Sequence, residues 1–302
     1  MELIVLALVG LTVLVASALF SRRTGIAAPL LLLVLGIVAS FTPWIPDVEL
    51  TNEMVLLGVL PPILFASGRN VPVIELRRNL KPIAWLSIVM VIVPAVLVGV
   101  IVHLLFCEIS LPLAIALGAA VSPIDAVAAT SIGRRLGLPD RLMTLLEGES
   151  LFNDAAALVT MRMAVATLAT GFSLVEASLG FLWAVAGGLA IGYVTGRVIN
   201  WARGRLNDPV LVTIVTLASP WASYVPAEQV HASGVIAVVV TAVVMSHLAP
   251  RSLNAEERAM VRSTWATTSY VLEHAVFLLM GMQVARLVND SRVSGSLGRV
   301  WL

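Results

Sequence analysis

The sequence is short of charge. Aspartate, glutamate, lysine and arginine together make up 12% of its 302 residues, about half the share found in an ordinary soluble domain. It is short of cysteine too. Cys107 stands alone, which excludes an intrachain disulfide and a thiolate metal cluster, and its apolar surroundings suit inert packing. The formal net charge is only +1, and the seven Trp and eight Phe are scattered rather than interleaved with basic residues. That leaves no electrostatic footprint for nucleic acid. No long linker, charged block or low-complexity stretch marks a separate soluble domain. No nucleophile and base stand at a spacing that would make an intramembrane enzyme.

What is abundant is apolar side chain, at 59% of residues with a mean hydropathy of +0.98. Crossing the hydrocarbon takes about 20 mostly apolar residues. Ten segments qualify, at 3–20, 26–41, 53–68, 82–106, 111–132, 142–169, 177–196, 209–225, 230–249 and 264–287. The pattern predicts an all-α polytopic membrane protein of about ten transmembrane helices. Pro61 and Pro62 interrupt the third segment and Pro123 the fifth.

The basic residues test this partition, because cytoplasmic loops hold the Lys and Arg. Alternate loops carry Arg22 and Arg23; Arg69, Arg77, Arg78 and Lys81; Arg134, Arg135 and Arg141; Arg197, Arg203 and Arg205; and Arg251, Arg258 and Arg262, fifteen of the nineteen basic residues. The intervening loops have none and contain Asp47, Glu49, Glu108, Glu176 and Glu228 instead. A wrong segment count would scramble this alternation. It puts the N-terminus outside and the polar tail after Leu287 outside as well, in a multi-pass protein of the cell inner or plasma membrane. The first segment lacks a basic region before it and has Arg22 and Arg23 after it, so it reads as a retained span rather than a signal peptide.

A charge inside a span costs roughly 2.5 to 3.5 kcal/mol, so an ionisable residue there is a functional candidate by default. Four cluster in adjacent segments: Asp125 in the fifth, and Glu147, Glu149 and Asp154 in the sixth. At about 1.5 Å of rise per residue, Asp154 lies roughly 18 Å from the cytoplasmic loop that ends near Arg141 and Asp125 roughly 12 Å from Gly133, both near mid-membrane. At 100° per residue, Glu149 and Asn153 share one helix face, with Ser150 and Asp154 on the adjoining face. Such an oxygen-rich stripe suits hard cations, whereas zinc or iron would call for His or Cys at ligand spacing. The bland alternative is that these groups glue helices together; Glu147, nearer the cytoplasm, snorkels. Pro123 breaks the fifth helix in mid-membrane and frees carbonyls that can face a cation. Ser122, Pro123 and Asp125 equally fit N-cap, N1 and N3 of a restarted helix, so Asp125 either caps it or faces the ion, and the two are compatible.

These segments resemble the monovalent cation:proton antiporters, the bacterial relatives of the sodium/proton exchangers. The match is strongest at EGESLFNDAAALV (147–159), where that family shows Glu-Ser-Leu-x-Asn-Asp; SPIDAVAA (122–129), LPPILFASG (60–68), HASGVIAVV (231–239) and LEHAVFLLMGM (272–282) follow the family's order. The resemblance implies that Asp154 alternately binds sodium and a proton. It gives Ser150 a side-chain oxygen ligand, Ile124 a main-chain carbonyl ligand, Glu149 the organisation of the site and Asn153 the partner place beside Asp154, with Asp125 at the helix break. Two departures stand out: Ile124 occupies a position where many members have Thr, and the proline precedes Asp125 rather than following it. Arg162 is unexplained by the motif and either lines the outer mouth or pairs locally. Glu273 matches a family acidic position and either lines a cavity or packs helices. His231 invites a pH-sensing role, against a plainer one in helix packing.

The implied protein is a secondary active transporter, not an enzyme, exchanging sodium or lithium for protons in the bilayer as a homodimer without any cofactor. A potassium/proton exchanger and a truncated nontransporting membrane protein of the same fold are the alternatives. The family fold has two inverted repeats of six spans joined by a linking helix. Mapped here, 1–169 is the first repeat, with spans 1–3 its dimer or scaffold part and spans 4–6 its ion-binding core. Residues 170–205 are the linking helix, 206–287 an incomplete second repeat and 288–302 a short tail. With ten spans of about thirteen, the 302 residues expressed alone are expected not to catalyse exchange. Glu149 would then lack the family's basic partner.

Overall fold

The computed structural model describes residues 2–42, 51, 53–70, 73–123, 137–170, 174–286 and 288. Among them are ten α-helices and no strand. They are α1 (Glu2–Thr24), α2 (Ala28–Ser40), α3 (Leu60–Asn70), α4 (Val73–Leu105), α5 (Leu111–Val121), α6 (Asp140–Thr170), α7 (Leu174–Arg203), α8 (Pro209–Gln229), α9 (Gly234–Ser252) and α10 (Ala255–Met282). Each corresponds to one expected span. Five contain stretches long and apolar enough to cross a bilayer, in α4, α6, α7, α8 and α9, and α2, α3 and α5 are shorter apolar helices. Large apolar side chains such as Leu179, Leu182, Val194 and Val198 of α7 point outward, which is the pattern of a protein whose solvent is lipid.

Prolines and caps decide where these helices bend and stop. The α3 helix is preceded by a π-helical turn, Met54–Val59, with Leu60 N–H donating to the Val55 carbonyl. A wider turn relieves the clash that the rings of Pro61 and Pro62 would make with carbonyls four residues back. The α5 helix ends at Val121, so Pro123 lies beyond its C-terminus. Residues 124–136, with Ile124 and Asp125, lie outside the described residues, as do 289–302 of the tail and the side chain of Glu147.

Two helices run past their hydropathy limits. The α4 helix begins at Val73 rather than 82, and α10 at Ala255 rather than 264. The latter start is set by a reciprocal cap. Glu257 N–H donates to Asn254 Oδ1 at 2.9 Å, and Asn254 N–H donates to the Glu257 carboxylate at 2.8 Å, satisfying two amides that the first turn would otherwise leave open.

The helices fall into two compact units, Met1–Ile63 with Trp265–Leu302, and Leu64–Thr264. In the first, α1 packs on α2, and α2 and α10 approach closely where Gly36 meets Gly281. The second contains two three-helix groups, α4–α5–α6 and α7–α8–α9, joined chiefly by α6 against α7 and α9.

Small residues hold each group. Gly99 of α4 lies against Ile115, and Gly118 of α5 against Ala95. Along α7, Gly188, Gly192 and Gly196 face in turn Ser233, the N-cap of α9, and Ala237 and Thr241 of α9. The pairing runs in the same direction on both helices, so α7 and α9 are parallel. Lipid exerts no hydrophobic drive between helices, so close backbone approach at small residues supplies the packing energy instead. Thr241 Oγ1 adds a hydrogen bond to the Gly192 carbonyl at 3.0 Å.

Candidate functional site

The EGESLFND motif lies in the first half of α6, where its helical spacing produces the expected stripe. Gly148 faces Ile83 of α4, and a Cβ there would come within 2.9 Å of the Ile83 side chain. The glycine therefore lets α4 and α6 close on each other beside the acidic residues. Ser87 of α4 is buried and donates its hydroxyl to the Glu149 main-chain oxygen at 3.1 Å, fixing the two helices in register at that level.

Asn153 is the most tightly enclosed member of the stripe. Its side chain is 0% exposed, and among the described residues neither its amide nitrogen nor its oxygen has a hydrogen-bond partner. A buried amide left unsatisfied costs about 1–3 kcal/mol, so a protein that keeps one gains something else from it. Glu149, Ser150 and Asp154 around it are half-buried. Carboxylate, hydroxyl and amide oxygens brought onto neighbouring faces of one helix in a membrane interior make a donor set for a hard monovalent cation or a proton.

Arg162 lies two turns beyond Asp154, about 12 Å further along α6. Its Nη1 donates to both carboxylate oxygens of Glu228 at 2.7 Å, and Nη2 to the Tyr224 hydroxyl at 3.4 Å. Glu228 also accepts from Gly234 N–H, the first residue of α9, at 3.1 Å. Its charge thus sits at the positive end of that helix. Arg162 is a local pairing residue that ties α6 to the α8–α9 corner. Nothing within the α6 motif pointed to Glu228 and Tyr224, which are 66 and 62 residues away in sequence.

His231 forms the turn of that same corner. Its φ is +56°, its N–H donates to the Glu228 carbonyl at 3.0 Å, and Ala232 N–H reaches back to the Ala227 carbonyl at 2.9 Å. This is the double bond pattern that closes a helix through one left-handed residue, a conformation His tolerates better than most. Its side chain is exposed, and its backbone makes the turn. Glu273 is half-buried in α10, in the other unit. Arg203, expected in a cytoplasmic loop, is instead 2% exposed at the end of α7, where it donates to the Met245 carbonyl at 2.6 Å and to Asn200 Oδ1 at 2.7 Å. A main-chain carbonyl and a side-chain amide oxygen together serve the donors of the buried guanidinium.

Residues 10–297 match the family model for the transmembrane part of the sodium/hydrogen exchangers. A sodium, potassium, lithium and rubidium/proton antiporter of Bacillus pumilus is 32% identical over 94% of this chain and 44% of its own length. The sodium/proton antiporter ApNhaP of Aphanothece halophytica is 33% identical over 91% of this chain and 53% of its own. The chain thus spans about half the length of the curated relatives it matches. In fold it is similar to the sodium proton antiporter MjNhaP1 of Methanocaldococcus jannaschii, with a TM-score of 0.74 at 17% identity, covering 93% of this chain and 71% of that one.

Proposed function

The chain belongs to the sodium/hydrogen exchanger family, and on that premise we propose that it acts in secondary antiport of sodium or lithium against protons, with Asp154 as the exchanging carboxylate. The observation that carries this is the fully buried, unpartnered amide of Asn153 next to Asp154 on α6. In the proposal a sodium ion and a proton compete for Asp154. Ser150 and the main-chain oxygen of Ile124 complete the cation's shell, Asn153 completes the Asn-Asp pair, Glu149 organises the site and Asp125 stands at the helix break. Alternating access comes from one helical group moving against another around the site, the first repeat supplying α4–α6 and α7 the link to the second. The protein is placed in the cell membrane with its N-terminus outside, as a homodimer.

The direct test is proton release when sodium is added to the purified protein in weakly buffered detergent solution. The wild type is expected to release protons in proportion to sodium bound, and Asp154→Asn, similar in shape but unable to ionise, to release none. Undiminished release from Asp154→Asn would remove Asp154 from its role. Exchange of potassium as well as sodium is a second reading, favoured by the broad cation range named for the Bacillus pumilus relative. Proton release measured with sodium, lithium and potassium in turn separates the two.

A further inference from the structure

A cavity of about 820 Å³ lies within the Leu64–Thr264 unit, between α4 and α6 on one side and α7 and α9 on the other. The acidic stripe takes no part in it. Among the described residues its walls include Phe152, Val185, Val239 and Val243, but not Glu149, Ser150, Asn153 or Asp154. Its polarity is lopsided. The walls are apolar along most of their length, while Arg197, His247 and Arg251 all stand at one end. Those three are exposed, and Arg197 is steadied by Tyr193, whose hydroxyl accepts from Nε at 3.0 Å and Nη2 at 2.8 Å.

The dimensions are those of a lipid. From Val239 to Arg251 along α9 is twelve residues, about 18 Å of helix, a little more than half of the roughly 30 Å hydrocarbon thickness. The cationic end therefore lies at headgroup depth when the apolar end reaches mid-bilayer. That end belongs to the basic, cytoplasmic side in the charge alternation of the loops, the side where the leaflet is anionic. A ligand drawn from water would have to enter past the cations into a cavity with little for it to bond. A ligand already in the membrane has the matching division into anionic head and apolar tail.

We propose that this cavity is a binding site for an anionic glycerophospholipid of the cytoplasmic leaflet. Its phosphate is held by Arg197 and Arg251, with His247 beside them, and its acyl chain runs inward between α6 and α9 past Val243 and Val239. Guanidinium groups suit the phosphate because their paired N–H donors match its oxygens. The site is independent of the sodium-binding proposal, so either can fail without the other.

The test is thermal unfolding of the purified protein in detergent with added phosphatidylglycerol or phosphatidylcholine, together with native mass spectrometry of retained lipid. Phosphatidylglycerol is expected to raise the unfolding temperature by several degrees more than phosphatidylcholine. The Arg197→Gln/Arg251→Gln double variant should bind it at least tenfold more weakly. Arg205→Gln, removing a guanidinium that stacks on Trp201 and does not line the cavity, should leave binding unchanged. A photo-crosslinking residue at Val243 should capture phospholipid. Equal stabilisation by the two lipids, unchanged binding in the double variant, or capture at Val243 of a protein segment in place of lipid would each overturn the proposal.

Discussion

The Arg162–Glu228 pair links helices that nothing in the motif region would join, and its strength is open to measurement. At 2.7 Å the two charges attract by several kcal/mol at an effective dielectric of 20. Most of that is returned in desolvation, because the side chains are 34% and 31% exposed, and in restricted rotamers. A surface pair contributes about 0–1 kcal/mol, and breaking a buried one costs about 3–5. This pair is intermediate, and Glu228 additionally caps Gly234 N–H. Glu228→Gln is therefore expected to destabilise by about 1–2 kcal/mol and Arg162→Met by a similar amount. The double variant should fall short of their sum by about 1 kcal/mol. Unfolding in detergent, run on all four proteins, yields that coupling energy, and raising salt should shrink it because a third of each side chain meets solvent. Additivity within about 0.5 kcal/mol would show that the pair is geometric only and that α6 is held to the α8–α9 corner by packing.

Three further outcomes are expected. Gly192→Ala puts a methyl 2.5 Å from the Ala237 carbonyl oxygen and 2.8 Å from Val240 Cβ. It should cost about 1–3 kcal/mol in the same unfolding assay, whereas Gly204→Ala, whose nearest new neighbour is at 3.4 Å, should be nearly neutral; equal effects would mean the α7–α9 seam is not close-packed. Asn153→Leu removes an amide that bonds to none of the described residues, so stability should hold or rise while sodium-linked proton release is lost. Destabilisation with release intact would reverse the assignment. Apparent sodium affinity should weaken as pH falls, because protons occupy the same carboxylate, and a sodium titration that is flat across the active pH range would contradict competition at Asp154.

What could be read from the residues, and what could not, divides along the range of the forces concerned. The helices are legible because hydrocarbon calls for apolar runs, closed here by arginines on alternate sides, although α2, α3 and α5 are shorter than a full span. The stripe from Glu149 to Asp154 is legible because helical geometry alone places it. The end of α5 just before Pro123 is legible because a proline ring acts on its own turn. The starts of α4 and α10 escaped for a different reason. Hydropathy marks where lipid ends, not where hydrogen bonding ends, and Asn254-Ala255-Glu256-Glu257 carries a capping signature that a search for apolar runs passes over.

Arg162 and Glu228 are a harder case, since the pairing depends on where α8 turns back and on a left-handed His231 that aims the corner. A residue with a Cβ in that conformation has no distinctive sequence mark, whereas glycine would have announced the turn. Arg203 shows the same limit from the opposite direction. A basic residue at the end of an apolar run looks like an anchor in the headgroups, yet here it turns inward onto the Met245 carbonyl. Two routes satisfy a guanidinium at a membrane edge, water and protein carbonyls, and which one Arg203 takes depends on how α9 lies beside α7. Local sequence cannot decide between near-equal alternatives, and at that point the tertiary contacts decide.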